Sequence, residues 1–93
     1  MVSNVKSLEQ LQSWSVFPNP SEGLSQIQIS LDNQIKDARI QLMDLQGRLI
    51  QGVFQGQLAV GEHQFELAIP KKGIYLLSIQ SSQGINTQKV IRL

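Results

Sequence analysis

His63 is the only histidine in the chain and cysteine is absent, so any nucleophile–base pair would have to be built around this one imidazole. It stands in Gly61-Glu62-His63-Gln64-Phe65, in register with Phe65 and Leu67 of an alternating run. That phase puts it at a strand end, on the rim of a core. Acid–base work by paired carboxylates needs two acids converging in one cleft, and the seven acids here are scattered singly over turns and polar faces. No zinc spacing, calcium loop or phosphate-cradling glycine loop is present. The sequence thus offers no catalytic residue, no metal ligand set and no cofactor site, and it reads as that of a non-enzyme. Eight basic residues give a net charge of +1, with no basic stripe interleaved with aromatics, which argues against nucleic acid as a partner.

The residues that carry information shape the backbone. In Val16-Phe17-Pro18-Asn19-Pro20-Ser21-Glu22-Gly23, two prolines fix φ on either side of Asn19 and hold Phe17 and Asn19 out of the helical region. Neither Pro18 nor Pro20 has an N–H, so no sheet ladder continues through them. Gly23 then permits a sharp re-entry. The segment reads as a stiff corner that swings the chain from one sheet to another. Asp44-Leu45-Gln46-Gly47 and Pro70-Lys71-Lys72-Gly73 are turn tetrads with Gly47 and Gly73 in the last position, where positive φ is often needed. Tyr75 shares the phase of Leu77 and Ile79, so its ring is expected in the core with its hydroxyl on a backbone group, as in the tyrosine corner of sandwich folds. Lys89 and Arg92 punctuate the apolar final segment that includes Val90, Ile91 and Leu93. A lysine in an edge strand there opposes sheet-to-sheet aggregation.

The elements that must position these residues follow from period-2 alternation, the mark of strands with one buried face. Ile27, Ile29 and Leu31 alternate with polar residues, as do Ile40 and Leu42, then Phe65, Leu67 and Ile69. Ile74 and Leu76 make the Tyr75–Ile79 strand apolar on both sides, which predicts a central strand, covered on both faces or near an interface. Strands are expected at 13–17, 24–31, 38–45, 48–54, 62–69, 74–80 and 86–92. Seven short strands with turns about every 8–12 residues predict an all-β, antiparallel, immunoglobulin-like sandwich, with a small barrel as competitor. Residues 1–12 read as a linker, with slight helical character at Ser7–Gln12, and residues 13–93 as the domain. One domain is all that 93 residues support. No apolar run approaches the roughly 18 residues of a transmembrane helix, and the N-terminus has no signal-peptide core, so an exported chain would be a piece of a longer precursor or would use another route.

Taken in order, PNP-x-x-G at Pro18–Gly23, the hydrophobic-D-x-x-G-[KR]-x-[VI] hairpin within Ile40–Ile50, with Asp44, Gly47 and Arg48, G-x-H at Gly61–His63, G-x-Y at Gly73–Tyr75 and the terminal K-hydrophobic-hydrophobic-R strand at Lys89–Arg92 resemble the C-terminal sorting domain of the type IX secretion system, type A, also called the Por secretion tail. The resemblance covers residues 13–93, with Phe17 where the family often has Tyr. It implies a non-catalytic signal domain that carries an attached cargo across the outer membrane of a Gram-negative bacterium, to the cell surface or the medium. The implied partners are the type IX translocon and a surface peptidase of sortase-like role. That peptidase removes the domain within Met1–Trp14 and couples the cargo to anionic lipopolysaccharide. Lys89–Leu93 is the expected recognition segment, acting through an open strand edge that adds to a receptor sheet. Pairing of edge strands would also permit a dimer. The alternative is an accessory carbohydrate- or ligand-binding module of a secreted enzyme, but only five aromatics are present and they suggest no platform.

Overall fold

A computed structural model of the chain describes residues 7–93, so the first six residues of the expected linker lie outside the described residues. The strands are β1 (Leu11–Phe17), β2 (Leu24–Leu31), β3 (Ile35–Met43), β4 (Leu49–Leu58), β5 (Gly61–Ala68), β6 (Gly73–Ser81) and β7 (Gly84–Arg92). They form two antiparallel sheets, β1-β2-β5 and β4-β3-β6-β7, with no helix among the described residues. Ser7–Gln12 is not helical. Leu8 is buried in the core, the Asp32 N–H donates to the Gln10 carbonyl, and β1 begins at Leu11.

Alternation decides which face of each strand is dry. Val16, Ile27, Ile29, Leu31 and Leu67 of one sheet meet Ile40, Leu42, Leu58, Leu77, Ile79 and Val90 of the other, all buried in a single apolar cluster. Each such side chain contributes about 1.5–3 kcal/mol when taken fully out of water. Tyr75 is buried with them, and its hydroxyl donates to the Lys71 carbonyl at 2.7 Å, the backbone partner its phase predicts. Phe54 of β4 and Phe65 of β5 pack against each other across the two sheets, ring centroids 5.1 Å apart and planes tilted by 46°. β6 is central in its sheet, between β3 and β7 as expected.

Five strands run longer than the alternation predicts: β1, β6 and β7 by about a residue pair, while β3 starts three residues early and β4 ends four residues late. β3 begins at Ile35 because a register irregularity between Ile35 and Ala38 absorbs Lys36-Asp37, and Ile35 is itself buried. β4 continues through Gln55-Gly56-Gln57 to the buried Leu58, pairing Gln55 with Arg39 and Gly56 with Ala38.

The registers bring one set of turns to one end of the sandwich. Phe17 pairs with Gln26, Leu24 with Ala68, Met43 with both Leu49 and Leu76, and Gly73 with Arg92. The β1–β2 corner, the β3–β4 turn, the β5–β6 loop and the finish of β7 are therefore neighbours. They hold nearly every residue that the motifs single out.

Candidate functional site

The corner closes on the edge of β7. Its carboxamide does the work of a peptide unit: Asn19 Nδ2 donates to the Lys89 carbonyl at 2.9 Å, and Asn19 Oδ1 accepts from the Ile91 N–H at 3.0 Å. Two backbone bonds continue the seam, from the Ser21 N–H to the Ile91 carbonyl at 2.9 Å and from the Leu93 N–H to the Ser21 carbonyl at 2.8 Å. Ser21 and Arg92 form a parallel bridge. The expected open edge at 89–93 is thus not open. Pro18 and Pro20 hold the corner without offering N–H groups of their own, so the donors along this seam come from Asn19, Ser21, Ile91 and Leu93. Ser25, buried and in phase with Ile27, donates from Oγ to the Pro18 carbonyl at 2.8 Å and ties the corner to β2.

Arg92 turns inward. Its Nη1 donates to the Ile69 carbonyl at 2.9 Å and the Pro70 carbonyl at 2.6 Å, so the guanidinium bridges from β7 to the chain leaving β5. Gly23, at φ +134°, lies against this group: a Cβ there would come within 3.3 Å of Arg92 Nε and Nη2. Its conformation and its missing side chain are both used, one for the turn and one for the space. The Gly23 carbonyl also accepts from the Ile69 N–H at 2.8 Å. Arg92 Nε is buried without a hydrogen-bond partner among the described residues. The glycine of the first motif and the arginine of the last are therefore one packing unit.

The remaining motif residues line the same end. Asp44 organises its turn: Oδ1 accepts from the Gln46 and Arg48 N–H groups, each at 2.9 Å, and Oδ2 pairs with Arg48 Nε at 2.9 Å. The Arg48 backbone N–H, then the Arg48 side-chain and Gln46 bonds, hold the Asp44 carboxyl below its ordinary value despite some desolvation. Gly47 takes φ +87° and donates its N–H back to the Asp44 carbonyl. Gly73, at φ +149°, lies over the Tyr75 ring. Within the final segment, Val90 is in the core, Ile91 is half-buried, and the Lys89 and Leu93 side chains are exposed.

Chemistry is sparse elsewhere. His63 lies at the rim opposite Ile29, and its Nε2–H donates to the Ala59 carbonyl at 2.8 Å, which occupies the ring with a structural bond. Among the described residues, no group of three or more acids or histidines is placed to hold a metal ion, and no helix is long and apolar enough to cross a membrane. Trp14, Phe54 and Phe65 pack against the core and Tyr75 is inside it, leaving Phe17 as the exposed aromatic. An aromatic binding face is not formed.

A family model described as the secretion system C-terminal sorting domain matches residues 15–92, the span that contains the corner, the hairpin and the closing strand. The chain belongs to that family. A search of the curated proteins finds no match. The sorting domain is accordingly a C-terminal signal for type IX secretion, the tail of a secreted or cell-surface protein, and its family is not one of enzymes. Sequence reasoning named Asn19, Gly23 and Arg92 but missed Ser21 and Ser25. Ser25 had a signal, a polar residue in the buried phase of β2. Ser21 had none, because its role exists only once β7 is alongside.

Proposed function

We propose that the domain carries its cargo across the outer membrane by presenting this folded end, and not a free strand, to the translocon. The observation that carries the reading is the closure of Asn19–Ser21 over Lys89–Leu93. Segments at opposite ends of the sequence make one surface, on which Lys89 and Leu93 face solvent while Val90 and Arg92 hold the fold. Recognition by strand addition at 89–93 would first have to strip off the corner. The strand order β1-β2-β5 and β4-β3-β6-β7 supports an immunoglobulin-like sandwich in which the fourth strand has joined the second sheet.

Removal of the domain by a surface peptidase requires an extended, unpaired substrate. From Leu8 onward the chain is packed: the Leu8 N–H donates to Asn86 Oδ1 at 2.8 Å, and β1 is paired from Leu11. The packing from Leu8 onward disfavours cleavage there, so the cleaved bond is placed before Leu8 on this reading. A dimer through edge strands would use β4 or β1, each of which carries no charge and no proline and lies at the margin of its sheet.

The test is a fusion of the chain to a periplasmic reporter in a type IX-competent strain. The wild-type fusion is expected at the cell surface. Lys89→Glu with Leu93→Glu, both at exposed side chains, is expected to retain the melting temperature and lose surface arrival. Retention of wild-type fusion in the periplasm would sink the reading.

A further inference from the structure

The two outer faces of the sandwich differ. On the β1-β2-β5 sheet, most outward residues are polar, with Gln26, Gln28, Gln64 and Glu66 on neighbouring strands and Phe17 and Leu24 as the apolar exceptions at the motif end. On the β4-β3-β6-β7 sheet, the half nearest the motif end is apolar. Leu76 stands between Met43 and Lys89, Met43 pairs with Leu49, and Ile74 pairs with Ile91. Leu45, in the adjoining β3–β4 turn, is a further exposed apolar residue at this end. Leu45, Leu49 and Ile74 are 56%, 58% and 46% exposed, and Met43, Leu76 and Ile91 are half-buried. The next rows, Gln41 with Ser78 and Thr87, are polar, so the patch has a boundary. This is the two-sided apolar character of β6 that the sequence shows, and no second layer covers it among the described residues. Apolar patches with a polar rim mark interaction sites more often than chance exposure.

Charge names the partner. Arg48, Lys71, Lys72 and Lys89 lie at this end and Arg92 is turned inward, against Glu22, a Glu66 on the outer face of the other sheet and an Asp44 already engaged by Arg48. Glu9, Asp32, Asp37 and Glu62 lie toward the opposite end, with Lys36 and Arg39 as the cations there. Two copies meeting through this face would set Lys71, Lys72 and Lys89 against their own kind. A flat patch built on paired strands has no protruding element to insert into a bilayer, but it suits a shape-matched protein surface. We propose that this half-face docks a protein surface with an apolar centre and a carboxylate rim. The inference rests on the sorting reading above and assigns the partner's contact face within it.

The experiment uses the same reporter fusion with Leu49→Gln plus Ile74→Gln, and separately Lys71→Glu plus Lys72→Glu. Gln28→Ser plus Gln64→Ser on the other face is the control. With melting temperatures unchanged, each half-face variant is expected to lower surface arrival about tenfold or more, the factor that loss of about 1.4 kcal/mol of binding produces. The control should not. Wild-type export together with undiminished export of both half-face variants overturns this inference and leaves the sorting function standing; failure of the wild type to be exported removes both. Binding of the purified chain to vesicles of mixed phosphatidylcholine and phosphatidylglycerol, lost in the half-face variants, would replace the protein partner with a membrane. A dimer in sedimentation that the Leu49→Gln plus Ile74→Gln variant abolishes would replace it with a second copy.

Discussion

Asp44 shows how much a single half-buried carboxylate can be asked to do when its acceptors are aimed. Its two oxygens take three bonds within the β3–β4 turn, two from backbone N–H groups and one from Arg48, and all three favour the ionised form. The carboxyl pKa is consequently lowered in the fold, with the Arg48 backbone bond as the largest cause. A group whose folded pKa lies below its unfolded value stabilises the fold fully above the unfolded pKa, here near 3.8, and that contribution disappears as pH falls through the folded pKa. Asp44→Asn is therefore expected to lower the melting temperature at neutral pH and to flatten the loss of stability below the ordinary carboxylate range. Thermal melts from neutral to acid pH check this, and parallel curves for the two proteins would show that the turn does not depend on the charge. The sequence made this residue legible because its partners are two and four positions away. Asn19 was not legible in the same sense. Its type and the flanking prolines are visible, but its partners, Lys89 and Ile91, are brought to it only by the fold.

At the scale of the strand, β7 has two kinds of edge. The register that turns the Ile91 N–H outward onto Asn19 also turns Thr87 outward, since outward groups alternate along a strand. The Thr87 N–H has no partner on that side among the described residues, whereas the Ile91 N–H donates to Asn19 Oδ1 and the Leu93 N–H to the Ser21 carbonyl. Amide exchange is therefore expected to be slow at Ile91 and Leu93 and fast at Thr87, with Asn19→Ala accelerating Ile91 while leaving Thr87 as it was. Equal exchange at Ile91 in both proteins would show that the corner is not closed in solution. Strand existence was legible everywhere that apolar residues recur at every second position, and β2 runs over Leu24–Leu31 as the alternation gives. It failed where that signal is interrupted for a physical reason. Lys36-Asp37 breaks the phase of β3 at an irregularity, and Gln55-Gly56-Gln57 supplies β4 with backbone pairing but no apolar face until Leu58. Backbone hydrogen bonds do not depend on side-chain polarity, so alternation underestimates strands that are held by their neighbours.

At the scale of the molecule, the closing strand is the keystone of the motif end, and this bears on how its proposed role in recognition is measured. Removing residues 89–93 would take Val90 out of the core, worth about 1.5–3 kcal/mol. It would also delete the partners of Asn19 and Ser21 and the two bonds Arg92 makes to Ile69 and Pro70. At about 0.5–1.5 kcal/mol for each such bond, the combined loss is of the order of the whole stability of a small domain, about 5–15 kcal/mol. The truncated chain is thus expected to lose cooperative unfolding, seen as a broad, shallow transition in circular dichroism melts. Retained export of the truncated fusion would mean that a folded motif end is dispensable, and lost export would not separate recognition from folding. Surface substitutions at Lys89 and Leu93 do separate them, because neither side chain supports the core. If the truncated domain instead melts within a few degrees of the intact one, the corner and Arg92 contribute far less than their bonds suggest. An export defect on truncation would then belong to recognition alone.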